Sequence, residues 1–292
     1  MLCDSHIHFI PQSIAEHTSF YKGVWTDESK LFEFLGVNKI DKALLVYPAT
    51  DAHLGLGWPK LCEAYNNNLA ALIEEDKRII GCGIVDLDTS TSTQVKRLKE
   101  KGFKGISIAS SQDGKFNLDK LLPLFEAAAE NNLAIFVHPQ TINPIGFERV
   151  KDPLLMPVLE YSFDNSMFIG LLMMEGVLEK FKIDFIFSSL AGVIPFLKDR
   201  FDRVYTMLRG RGMVKDLGKV PSEILKKVYV DTSGSSLQNI KLALELFDQD
   251  HILWGSDYPV AGDINENLKM LDTLGPVLKE KIISKNFLSV FL

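Results

Sequence analysis

Short apolar runs rich in branched side chains recur along the chain, each ended by turn or polar residues. They cover 2–9, 43–47, 79–85, 105–109, 134–138, 184–189, 228–232 and 252–256. Between them, apolar residues return at helical spacing over 61–75, 94–101, 118–131, 167–181, 193–209, 236–248 and 266–274. From His8 to Asp257, at the ends of the first and eighth runs, the repeat averages about 36 residues, the length of one strand with its helix. KALLVYP and LAIFVHP are apolar without alternation, as in parallel strands covered on both faces. A doubly wound open sheet would follow its first strand with a glycine-rich turn, and here that strand ends in His6-Ile7-His8 instead. The pattern predicts an α/β chain closed into a (β/α)8 barrel, the TIM-barrel architecture. The connection over 139–166, the longest, is expected to cover the top face.

Length fits this picture, since 292 residues lie within the range of an undivided barrel and 1–292 is read as one domain. The composition is that of a globular chain, 46% hydrophobic and 24% charged. A net charge of −6 disfavours nucleic acid or an anionic membrane as a partner. The first residues, MLCDSH, lack a secretory pattern and no run reaches the length of a membrane span, so a cytoplasmic protein is expected. Cys3, Cys62 and Cys82 lack the spacing of a disulfide framework or a cysteine zinc site and are read as reduced, apolar residues.

Chemistry gathers at the strand ends, the face that carries active sites in barrels. His6 and His8, two apart on one strand, point to the same side. His138 ends the fifth strand and Asp257 the eighth, which neighbours the first. Three imidazoles and one carboxylate around one opening form a donor set that a borderline divalent cation such as zinc accepts, with a position left for water or substrate. His251 precedes the eighth strand, on the stability face, and is read as structural; His17 and His53 lie on top-face loops.

DSHIHF, FVHPQ, GVLEKF followed by IPFLKDR, YVDTSG and ILWGSDYP together resemble the amidohydrolase-related proteins, or amidohydrolase family 2, along the whole chain. That family contains metal-dependent hydrolases and non-oxidative decarboxylases, aminocarboxymuconate semialdehyde decarboxylase among them. The resemblance implies the same barrel, with His6, His8, His138 and Asp257 as ligands of one catalytic divalent metal, usually zinc, with manganese or iron as alternatives. It departs at one place. The family's sixth strand ends in a histidine of an HxGG pattern, and here Ser189 stands in that position, in Ser188-Ser189-Leu190-Ala191-Gly192. A hydroxyl is not a base near neutral pH without activation. The fourth strand ends in Ile108-Ala109-Ser110, without the lysine that would bridge a second metal.

The resemblance makes a mononuclear metal-dependent hydrolase of an amide, ester or lactone the leading expectation, with Asp257 passing the proton and Ser189 orienting substrate or water. A carboxy-lyase sharing every ligand is the alternative, and a non-catalytic descendant or a metal-free lactonase are the others, favoured by Ser189. The expected partner is a small molecule, with Arg149, His53, Trp58 and Tyr258 as candidate contacts, beside Trp25, Asp51 and Gln140. A homodimer is expected by analogy with relatives, with 171–174 as either an interface or a buried helix face.

Overall fold

The computed structural model describes residues 1–18, 21–48, 56–112, 114–141, 144, 152–260 and 263–292. Eight parallel strands pair in sequence order: β1 (Cys3–Ile7), β2 (Lys42–Leu45), β3 (Ile79–Gly83), β4 (Gly105–Ala109), β5 (Ala134–His138), β6 (Phe185–Phe187), β7 (Tyr229–Asp231) and β8 (Ile252–Leu253). The sheet closes where the chain beyond β8 meets β1: Ser5 N donates to Trp254 O, Asp257 N to His6 O and His8 N to Tyr258 O. The fold is a (β/α)8 barrel.

Around it run α1 (Gln12–Ala15), α2 (Glu28–Val37), α3 (Trp58–Glu75), α4 (Thr91–Glu100), α5 (Leu118–Glu130), α6 (Tyr161–Met174) and α7 (Val177–Lys180). The outer layer continues with α8 (Ile194–Gly210), α9 (Pro221–Leu225), α10 (Leu237–Ala243), α11 (Ile264–Leu271), α12 (Pro276–Glu280) and α13 (Asn286–Phe291). The helical stretch expected over 167–181 is broken at Gly176, whose left-handed φ of 76° ends one helix and starts the next. α2 and the helices after 275 lie outside the stretches predicted from periodicity. α2 starts at Asp27, whose carboxylate accepts Lys30 N–H, and buries only Leu31 and Leu35.

Alternation along the strands separates two cores. Ala43, Leu45, Ile135, Val137, Phe185 and Phe187 face the helices. Leu44, Ile80, Cys82, Phe136, Ile186 and Leu253 line the inside with Cys3, where Phe287 and Phe291 of α13 pack against them. β1 breaks this alternation. Between Asp4 and Ile7 it holds one residue more than β2, so the parity flips and His6 and His8 join Cys3 on the inner side. The 171–174 run is a helix face, with Leu172 and Met173 buried.

Candidate metal centre

β1 and β5 bring three imidazoles together at the C-terminal mouth. His6, His8 and His138 are buried, and one ring nitrogen from each lies within 4.8 Å of the others; among the described residues no other such group of three occurs. His6 Nε2 stands 3.1 Å from His8 Nε2. Each ring is fixed from behind. His6 Nδ1 is 2.8 Å from Asp231 Oδ2, His8 Nδ1 2.9 Å from Val46 O and His138 Nδ1 2.9 Å from Pro139 O. Carboxylate and carbonyl oxygens only accept, so each Nδ1 donates and each neutral ring presents an Nε2 lone pair to the same space.

Asp257 completes the group. β8 is shorter than the run 252–256, and Asp257 lies four residues beyond its end, in the left-handed region at φ 63°. Its Oδ1 is 3.2 Å from His8 Nε2 and 3.5 Å from His6 Nε2. Its side chain is 28% accessible, against 2% for those of His6 and His8, so Asp257 is the face the cluster turns to solvent. The close passage of this segment depends on Gly255, where a Cβ would stand 2.8 Å from His6 Cβ.

Burial disfavours charge on the rings and pulls His138 well down and His8 down. On His6 the same burial is outweighed by the charges of Asp231 and Asp257, which push it up to about 9. Burial likewise fails to neutralise those two carboxylates, which His6 holds below the ordinary range. Without a metal, a proton on His6 answers the charges of Asp231 and Asp257; with that proton displaced, three converging Nε2 lone pairs and a carboxylate oxygen fit a divalent metal. Beneath them, burial pushes fully buried Asp4 up to about 7, against the hydrogen bonds from Ser256 and His6.

Ser189 sits in an unusual turn. Ser189, Leu190 and Ala191 all have left-handed φ, between 51° and 58°, and lead to Gly192 at 68°. At Gly192 a Cβ would meet Ser162 O at 2.1 Å. Ser189 N donates to Asp231 Oδ1 at 2.9 Å and Ser189 Oγ lies 3.1 Å from Ser233 Oγ. Ser233 Oγ gives its single proton to Asp231 Oδ1 at 2.5 Å, so the Ser189 hydroxyl donates to Ser233.

The other candidates are scattered. His53, Asp51 and Arg149 lie outside the described residues. Trp58 lines a cavity of about 70 Å³ beside the ends of β3 and β4, with Tyr47, Ser107, Ser110, Ser111 and Gln140. Tyr258 is buried, its ring stacked on Phe34 at 4.1 Å. Trp25 stacks on the His8 ring at 5.7 Å. His251 stands beside Tyr229 at the opposite end, and His17 is exposed. Asp231 is not among the candidates the sequence reading offers, although its place at the end of β7 within YVDTSG marks it by the strand-end rule.

The sequence matches the amidohydrolase family over residues 3–286, and the chain belongs to it. Among solved structures it is similar to 5-carboxyvanillate decarboxylase from Sphingomonas paucimobilis, at 18% identity and a TM-score of 0.84, covering 99% of this chain and 98% of that one. It is also similar to 5-carboxyvanillate decarboxylase from Novosphingobium aromaticivorans, complexed with manganese and 4-hydroxy-3-methoxy-5-nitrobenzoic acid. There the identity is 24% and the TM-score 0.77, with 96% and 82% of the two chains covered. A third similarity is to dihydroxybenzoic acid decarboxylase from Polaromonas with bound manganese and 2-nitroresorcinol, at 16% identity, a TM-score of 0.78 and coverages of 99% and 96%.

Proposed function

We propose that the protein is a metal-dependent, non-oxidative carboxy-lyase that removes carbon dioxide from a small hydroxylated aromatic acid. The observation that carries this reading is the likeness of the whole barrel to decarboxylases, with Asp257 as the solvent-facing titratable group of a cluster whose three histidines are committed by their hydrogen bonds. Amide hydrolysis asks the site to take a proton from water and give one to the leaving group. Loss of carbon dioxide asks for a single proton, delivered to carbon. One carboxylate such as Asp257 can serve either chemistry, and what favours the lyase over the hydrolase expected from the sequence is the likeness to decarboxylases of the same fold.

His6, His8, His138 and Asp257 Oδ1 would hold the metal. Manganese is the metal bound in two of the relatives, and the donor set also accepts zinc or iron. When bound, the cation would draw electron density toward the carboxylate and hydroxyl oxygens of the substrate. Asp257, held ionised by His6 and His8, takes a proton from solvent on its second oxygen and relays it. As the carbon–carbon bond breaks, its electron pair stays on the ring carbon and takes that proton, and Asp257 is recharged from solvent. Ser189, its own proton given to Ser233, offers substrate an accepting oxygen. Trp58 is a candidate contact for the aromatic ring of the substrate.

The test is incubation of manganese-loaded protein with ortho-hydroxybenzoates in deuterium oxide. Carbon dioxide release with one deuterium at the vacated ring carbon supports the lyase. Hydrolysis of a lactone or amide panel with no carbon dioxide from any acid overturns it. No described helix is long and apolar enough to cross a membrane. We infer a homodimer, since Leu154, Leu155, Val158, Leu159, Phe163 and Met167 leave an exposed apolar stripe along and before α6. A monomer by light scattering at micromolar concentration would reject it.

A further inference from the structure

We propose that Asp164, on α6, is a positioning residue for His138, acting through the peptide group between Pro139 and Gln140. The inference rests on the reading that His138 is a metal ligand. His138 Nδ1–H donates to the carbonyl oxygen of this peptide at 2.9 Å. The N–H of the same peptide, on Gln140, donates to Asp164 Oδ2 at 3.1 Å. One amide therefore stands between a carboxylate and an imidazole, accepting from the ring on one side and donating to the acid on the other. Hydrogen bonds in such a chain polarise one another: a carboxylate on the N–H moves electron density to the C=O, which then holds the ring proton more firmly. The consequence at Nε2 is a ring of fixed orientation and higher basicity, the effect that a direct carboxylate partner has on a ligating histidine.

The carboxylate is itself built in. Asp164 is fully buried, and the same Oδ2 accepts from Ser110 Oγ and from Ser111 Oγ at 3.0 Å. Ser110 N also donates to the His138 carbonyl at 2.8 Å, so the end of β4 touches both partners of the relay. The three rings are thus backed in three ways. His6 has the carboxylate of Asp231 directly, His138 has that of Asp164 through one peptide, and His8 has only the Val46 carbonyl. Asp164 lies on the helix that follows the long connection after β5, so docking of α6 and the metal-facing set of His138 are coupled.

A purely structural Asp164 would only tie α6 to Ser110 and Ser111. Asp164→Asn keeps an accepting oxygen and removes the charge, whereas Ser111→Ala removes one tie and leaves the Gln140 N–H bond in place. Manganese affinity is measured by chelator competition, beside the melting temperature of the metal-free proteins. The expected result is manganese binding about tenfold weaker in Asp164→Asn, with Ser111→Ala within about twofold of the parent. Should Asp164→Asn not fold, the parent answers by NMR: the Gln140 amide proton should lie downfield and move further when zinc is added. Unchanged manganese affinity in Asp164→Asn, or a Gln140 amide indifferent to zinc, overturns this inference alone. A parent that takes up no metal overturns the metal reading and the inference with it.

Discussion

His6 Nδ1 donates to Asp231 Oδ2 across 2.8 Å, so a residue of the seventh strand sets the ring of a residue on the first. Asp231 is in turn held by Ser189 N, Ser233 N and Ser233 Oγ, all on Oδ1. Its charge survives full burial because four donors surround it. Asp231→Asn should keep the shape while weakening the charge behind His6, and manganese affinity should fall about 10- to 100-fold by chelator competition. Binding equal to the parent would mean that Asp231 does not tune the site.

Asp257 and Ser189 should separate in kinetics. Asp257→Asn removes the proton carrier and a metal contact and should abolish turnover. Ser189→Ala removes only an accepting oxygen whose proton is already committed to Ser233, and should leave measurable activity with a raised KM. Equal, modest losses from both variants in steady-state assays would contradict these roles.

Two glycines are required by close approach, one of them also by its left-handed backbone. Gly255→Ala places a methyl 2.8 Å from His6 Cβ and should weaken metal binding more than folding. Gly192→Ala puts a methyl 2.1 Å from Ser162 O on a residue at φ 68°, and should cost more than about 2 kcal/mol in urea unfolding.

Alkaline pH should destabilise the barrel through its thiols. Burial pushes Cys3 up to about 11, Cys62 up to about 12 and Cys82 higher still. A folded-state value above the unfolded 9.0 gives stability that is complete below pH 9 and lost as pH rises toward 11–12. The melting temperature should decline from pH 9 upward, and a thiol reagent at pH 8 should label three cysteines only after denaturation. Fast labelling of the native protein would contradict their burial.

Much of this was legible from residue order. The even spacing of apolar runs carried the barrel, and the two-residue spacing in His6-Ile7-His8 put both rings on one side. Which side was not legible: Cys3 and His6 have opposite parity, and only the extra residue in β1 turns both inward. α2 was hidden because Leu31 and Leu35 alone bury within a run that leaves Val37 exposed. Asp164 could not be found at all, since its partners lie 24 and 54 residues away and meet it only when α6 docks. Ser189 was visible as a departure, but the direction of its proton depends on Ser233, which only the fold brings within 3.1 Å.

The central claim is that His6, His8, His138 and Asp257 hold one divalent metal. Elemental analysis of protein purified without chelator, beside a His6→Ala, His8→Ala double variant, tests it most directly. About one equivalent of manganese, zinc or iron in the parent and little in the variant is the predicted result. A parent that is empty and takes up no added manganese or zinc would contradict it.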